Sequence, residues 1–423
     1  MTLTRRSLLA AAAALAAAGV TPRALSRGRS AGARHLVLVT AYGGWDGSYT
    51  IDPKPREQVD GPWLDEDRTD PADVEYTETI RGLPLQLNDA RRPNVRALFE
   101  RWGASTLVLN GVHTGSIAHE SCRVRMLTGT LSGAAADLAA ISASARADVP
   151  VPYMDLGGVG LVGDLAALSG RAGRSNQLGQ LLDRRRAVPR PDGLRYPLFH
   201  ADDAEAADID AFLASAWGRQ PAWGHGARRV ADGPAARARA ATLLADGATF
   251  ADGLARAATA TLRQQADLAV ELLTSGLASS VSLDSGLLWD THADNAQQHA
   301  AWNDLAGGLD HLFSALDAAS LLEDTVVLVL SDMNRTPRRN ADDGKDHWPV
   351  TSALVLGAGV AGGRVLGATD ARSDAMPVDL TSGLPDPAGV VPRYDHLAAG
   401  VLRLVGVDPE PWLPGVTPLG GWS

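Results

Sequence analysis

The chain has 423 residues, 45% of them hydrophobic and 21% charged, enough for one large α/β domain or two smaller ones and too apolar to be disordered over most of its length. Its formal charge of -10 argues against a nucleic-acid partner, which needs a net or local cationic surface, and runs such as Arg184 to Arg186 are too short to overturn that. Cys122 is the only cysteine, so neither an intrachain disulfide nor a thiolate zinc site can form, and any metal must be held by oxygen and imidazole nitrogen.

Thr4-Arg5-Arg6-Ser7-Leu8-Leu9, followed by an alanine-rich run to Val20, has the charged start, short apolar core and small-residue flank of an export signal. The paired arginines resemble the twin-arginine type, which makes the twin-arginine export machinery an expected partner and the periplasm or the extracellular space the expected location. The apolar core is too short to span a bilayer. A leader of residues 1–30 is therefore expected, with cleavage after Ser26 as one position, and a mature chain that starts near Arg27 to Arg34.

His35 to Thr40 reads as a buried first strand, with the glycine-rich turn Tyr42-Gly43-Gly44-Trp45-Asp46-Gly47 at its carboxyl end. Ile51 to Gly82 has no sustained period and is expected to be a long surface loop. Pro93 to Trp102 has a helical pattern, with Val95, Leu98, Phe99 and Trp102 on one face, and Ser105 to Asn110 is the next strand. Strand, helix and strand in this length predict a parallel, right-handed unit. The polar segment Gly111 to Arg123 then enters a helix, with hydroxyls and histidines where free backbone amides favour an anion.

Val151 to Leu156 is a candidate short strand and Ser175 to Leu182 a short helix, and a helical insertion is expected at about 200–275, alanine-rich from Ala235 to Ser275. A strand over Val281 to Asp284 leads to Leu287-Leu288-Trp289-Asp290-Thr291-His292. The following helix buries a stripe of Trp302, Leu305, Leu309, Leu312, Phe313 and Leu316, and gives His299 and His311 packing roles. Val326 to Ser331 is a strand rich in Val and Leu that delivers Asp332 to its carboxyl end, where open α/β sheets carry their chemistry. Thr351 to Leu356 is a further short strand, and Tyr394-Asp395-His396 opens a last helix through Leu404.

Three strand ends thus present metal-type side chains: Asp46, then Asp290 with His292, then Asp332 followed by His347. Carboxylates brought together without a cation repel and push one another's pKa upward. A divalent ion, or two about 4 Å apart, relieves that repulsion and activates a nucleophile. Oxygen and imidazole ligands suit zinc, manganese, magnesium or calcium.

Several of these stretches carry a family resemblance. Gly43-Gly44-Trp45-Asp46, the His119 to Gly129 segment, Trp289-Asp290-Thr291-His292, Ser331-Asp332 with Arg335-Thr336-Pro337, and Asp346-His347-Trp348 resemble the exported family called domain of unknown function 1501 (DUF1501). That family in turn resembles the alkaline phosphatase and sulfatase superfamily. The resemblance implies a three-layer α/β/α sandwich with a mostly parallel central sheet, formed by a single domain over residues 31–423.

It also implies one or two divalent metal ions at the carboxyl edge of the sheet. Their ligands would be Asp46, Asp290, His292, Asp332 and His347, with Asp346 either a ligand or a group that orients His347. The superfamily's nucleophile position falls on His119, and the arginine of its motif on Arg123. Because no cysteine stands at that position, sulfatase chemistry through formylglycine is disfavoured. Thr114, Ser116 and Ser121 are the nearby hydroxyls, of which Ser116 is taken as the candidate nucleophile, and His119 is alternatively a ligand or a general acid. Met333 stands where an alkaline phosphatase has a histidine. Arg335 or Arg123 would bind an anionic substrate in a two-pronged contact. The expected function is an exported, metal-dependent hydrolase of phosphate or sulfate esters, its substrate a small-molecule or polymer-borne anionic ester. The alternative is an exported binding or surface-assembly protein that keeps the fold, and at most a structural cation, without catalysis.

Overall fold

The chain builds on a run of Val and Leu that is buried on both faces. In the first strand, β1 (His35–Thr40), the five residues after His35 are all buried, as expected for a strand in the middle of a covered parallel sheet. The computed structural model describes residues 35–171 and 260–422, with short pieces of strand or helix between them. The leader at residues 1–30, the helix at Ser175 to Leu182 and most of the insertion at about 200–275 lie outside the described residues.

After β1 come the hairpin of β2 (Tyr76–Ile80) and β3 (Leu83–Leu87), helix α1 (Pro93–Trp102), strand β4 (Thr106–His113) and helix α2 (His119–Thr128). Helix α3 (Leu138–Ser144) and strands β5 (Tyr153–Asp155) and β6 (Ser169–Arg171) follow, then the two-residue strands β7 (Val188–Pro189) and β8 (Arg195–Tyr196). Helix α4 (Leu262–Thr274), strand β9 (Ser280–Asp284), helix α5 (Gln297–Ala318) and strand β10 (Thr325–Leu330) lead to the short pair β11 (Asn334–Arg335) and β12 (His347–Trp348). Strands β13 (Val350–Gly357) and β14 (Arg364–Gly367) and helix α6 (Tyr394–Leu404) complete the order.

Eight strands form the central sheet in the order β14-β4-β13-β10-β1-β9-β5-β6. All run the same way except β13, which pairs antiparallel with both β10 and β4. Side chains alternate across the sheet, so Val37, Val39, Val281, Leu283, Val327 and Val329 pack on one side with α1, α4 and α5. Leu36, Leu38, Leu107, Leu109, Val326 and Leu328 pack on the other with α2, α3 and α6. The architecture is a three-layer α/β/α sandwich with a mostly parallel sheet, as the family resemblance implies. Strand β4 extends to His113 rather than ending at Asn110, because β13 continues to pair with it, Val350 lying opposite His113.

The expected surface loop at Ile51 to Gly82 is not one. It holds the β2 strand and buries Ile51 and Val59, and it carries Asp65 and Glu75 into a polar network. Arg92 donates to Glu75 at 2.8 Å, and Asp65 accepts from Tyr49 at 2.5 Å and Arg339 at 2.5 Å, with His299 3.2 Å away. These charges are inside because each meets an opposite charge or a hydrogen bond, which a hydropathy pattern does not register. His311 bonds Asp267 at 2.6 Å across α4 and α5.

Asp137 caps α3 by accepting from the Ala140 amide, and also takes the Tyr153 hydroxyl and the Leu161 amide. Burial outweighs these hydrogen bonds and pushes its carboxyl up from the usual 3.8 to about 6. The folded state therefore holds this proton over a window where the unfolded chain releases it, and the Asp137 contribution to stability falls as pH rises between about 4 and about 6. Urea midpoints across that window are expected to show the wild type losing roughly 1–3 kcal/mol relative to Asp137→Asn, which cannot titrate. Parallel curves for the two proteins refute the assignment.

Candidate metal centre

The site is assembled where β1, β9 and β10 end. After β1 the chain turns through Gly43 and Gly44, whose φ angles of +121° and +85° suit glycine. The turn is clasped to the end of β10: the Gly43 amide donates to Asp332 Oδ1 at 2.9 Å and the Trp45 amide to Ser331 Oγ at 3.0 Å. A Cβ on Gly44 would stand 2.8 Å from the buried Met333 side chain and 3.1 Å from the Arg335 guanidinium. Met333 is therefore packing against this turn. Gly44→Ala is expected to cost about 1–3 kcal/mol through the strained φ and this crowding, read as a lowered urea midpoint at unchanged slope. Beneath the turn Trp45 stacks on Trp302 at 4.9 Å and meets Trp289 edge-on at 6.4 Å, fixing the segment that carries Asp290.

Three imidazoles converge above this floor, and each has its Nδ1 held by an acceptor. His119, the first residue of α2, is 2.6 Å from the buried carboxylate of Asp332. His347 faces the Ile117 carbonyl at 2.7 Å, and His292 faces Asp346 at 3.0 Å. Carbonyls and carboxylates accept only, so Nδ1 carries a proton in each ring, and in the neutral imidazole this leaves the lone pair on Nε2. The three Nε2 atoms lie 3.4, 3.2 and 3.4 Å from Asp290 Oδ1 for His119, His292 and His347 respectively. His292 Nε2 and His347 Nε2 are 2.9 Å apart, and the ligand atoms of His119, Asp290 and His347 lie within 4.8 Å of one another. His119 Nε2 is buried without a hydrogen-bond partner.

In that neutral form the Nε2 lone pairs and the carboxylate oxygen that face one another are repulsive unless a cation lies between them. The donor set thus fits a divalent ion held by His119, Asp290, His292 and His347, with imidazole dominant. The centre opens to solvent on the side of Asp290 and His292, whose side chains are 42% and 46% exposed.

Burial acts to raise the Asp290 carboxyl, but the hydrogen bond and charge of Arg335 outweigh it and hold it below the usual range. The hydrogen bond to Asp332 raises the His119 pKa against the effect of burial, whereas burial lowers that of His347. The hydrogen bond with His292 is the main cause that lowers Asp346.

Other expected site residues stand elsewhere. Asp46 is buried and saturated: Oδ2 accepts from Lys345 Nζ at 2.7 Å and Asn295 at 3.0 Å, and Oδ1 from the Ser48 hydroxyl at 2.6 Å. An ammonium, itself wholly buried, thus neutralises Asp46 where a metal was expected to do so. Asp332 reaches the centre only through His119. Asp346 sits behind His292 and not, as expected, behind His347. Ser116 Oγ accepts from the Ala118 amide at 3.1 Å, which shapes the turn into α2. Arg335 is wholly buried and spends four of its five N–H groups inside the protein: Nε on the Gly44 carbonyl at 2.8 Å, Nη1 on that of Lys345 at 3.1 Å, and Nη2 on the Gly43 carbonyl and on Asp290 at 2.7 Å. It orients Asp290. Arg123 donates to the Val159 carbonyl at 2.8 Å and has no carboxylate partner among the described residues. The role of Lys345 escapes a sequence reading; its one signal is rarity, since Lys54 and Lys345 are the only lysines beside many arginines.

A three-layer α/β/α sandwich with a histidine and carboxylate centre at the carboxyl edge of its sheet defines the class of this chain. Within that class, residues 232–409 match DUF1501, a family described as a protein of unknown function. The matched segment contains Asp290, His292, Arg335, Lys345, Asp346 and His347, whereas Asp46 and His119 precede it. Among solved structures, a sulfatase from Pseudoalteromonas sp. is 11% identical, with 96% of this chain and 72% of that chain covered at a TM-score of 0.40. A phosphonate monoester hydrolase from Silicibacter pomeroyi is 12% identical over 91% and 77% of the two chains, with a TM-score of 0.37. A protein in the alkaline phosphatase superfamily from Vibrio parahaemolyticus is 10% identical over 89% and 68%, with a TM-score of 0.34. No curated protein matches the sequence.

Proposed function

We propose that the chain is an exported hydrolase of phosphate or sulfate esters that works with a single divalent ion. The observation that carries this reading is the convergence of three Nε2 atoms on Asp290 Oδ1, each ring already fixed through its Nδ1. An imidazole-rich set favours zinc over magnesium or calcium. When bound, such an ion supplies a Lewis acid for the ester and activates the attacking group. The chain's own part is orientation: Asp332, Asp346 and the Ile117 carbonyl hold the rings, and Arg335 holds Asp290. Export rests on the paired Arg5-Arg6 and the alanine-rich run that follows. Among the described residues no helix is long and apolar enough to cross a membrane.

A second reading has an observation of its own. Four protein donors are enough to close a tetrahedral site, and closed sites are structural, which favours a binding or surface-assembly protein that keeps a cation for stability. Metal-loaded protein assayed on aryl phosphate monoesters, phosphodiesters and aryl sulfates decides between them. The hydrolase reading expects turnover that His347→Ala abolishes. Metal bound without turnover on any of the three substrates leaves the second reading standing.

A further inference from the structure

Beside the centre lies a residue with no role in holding it. Tyr42 follows β1, is half-buried, and has its ring 5.3 Å from that of His119. That ring contact sets the phenol beside the imidazole of the centre that α2 supplies. Glu120 is exposed and open to solvent. Among the described residues no group pairs with the Tyr42 hydroxyl, which leaves its proton available to a ligand. Arg123 stands four residues after His119 on α2, hence on the same face of the helix. It is half-buried and anchored on the Val159 carbonyl, and its charge is unpaired by any carboxylate among the described residues.

We propose that Tyr42 and Arg123 are an anion clamp that selects monoesters, the Tyr42 hydroxyl donating to one terminal oxygen of a phosphate or sulfate group and the Arg123 guanidinium to another. Together with the centre they offer three points of contact. A monoester presents three terminal oxygens and a diester only two, so the clamp favours the monoester. The inference rests on the hydrolase reading above. Tyr42 touches the substrate and is neither a metal ligand nor a second-sphere support for one.

The test uses zinc-loaded full-length chain and inorganic phosphate as the probe, with metal content and melting temperature measured on every variant. Tyr42→Phe is expected to keep the wild-type zinc content and raise the phosphate dissociation constant about threefold to tenfold, the loss of one hydrogen bond to a charged acceptor. Arg123→Gln, which keeps an amide donor without the charge, is expected to raise it at least as much. On aryl substrates both variants should lose more kcat/KM for the monoester than for the matching methyl diester. Unchanged phosphate affinity in both variants overturns the clamp. A wild type that keeps its zinc yet binds no phosphate also overturns it, while leaving the metal centre intact. A wild type that takes up no zinc brings down the hydrolase reading and the clamp with it.

Discussion

Protein stripped with a chelator and reloaded is expected to hold one divalent ion per chain, and His347→Ala, Asp290→Ala or His119→Ala to lower its affinity by more than about a hundredfold. Each substitution removes a donor atom itself, whereas the loss of an outer partner costs roughly ten- to a hundredfold. Asp346→Asn should fall in that smaller range, because it weakens the acceptor that fixes the His292 ring without touching Nε2. The order of the variants matters as much as the size of the effects. Elemental analysis and competition against a chromophoric chelator read both. An ion that binds equally well to His347→Ala and the wild type would show that the convergence on Asp290 has another cause. Two ions per chain would show that a second set of donors exists, and Asp46 is the acid that the sequence nominates for it.

The second large effect concerns the pair that replaces such a set. Lys345→Met leaves the Asp46 carboxylate buried with hydrogen bonds from Ser48 and Asn295 but no counter-charge, and is expected to destabilise the fold by about 3–5 kcal/mol. Most of that cost comes from the stranded charge and not from the lost attraction. Adding Asp46→Asn to Lys345→Met should therefore recover a large part of it, a non-additivity that a double-mutant cycle of urea midpoints detects. The metal content of the Lys345→Met variant is expected to stay at one. If it rises, the ammonium has been occupying a site that Asp46 can offer to a metal, and the single-ion reading fails. A stability equal to the wild type would overturn the stranded-charge account.

Much of the architecture was legible beforehand because its causes are local. Runs such as Leu36 to Val39 and Val326 to Leu330 are apolar on both faces, which only a sheet covered on both sides accommodates, and glycine with acids at their ends marks the turns. The loop at Ile51 to Gly82 misled for the opposite reason. Its Asp65 and Glu75 look like surface residues until Arg92, His299 and Arg339, far along the chain, are seen to meet them.

The site divides along the same line. Sequence alone determined which residues reach the carboxyl edge, since Asp290, His292, Asp332 and His347 follow apolar strands or their loops at short range. Only the tertiary structure decided what each does there. Asp46 is drawn away by Lys345, nearly 300 residues along the chain, and Asp332 is turned into a support for His119 by a 2.6 Å hydrogen bond across the sheet edge. Arg335 is buried and held by two carbonyls of the glycine turn, that of Lys345 and one carboxylate. The physical reason is that a buried polar group takes its role from the partner that satisfies it. Strand ends can be counted along the sequence, but partners are chosen by packing.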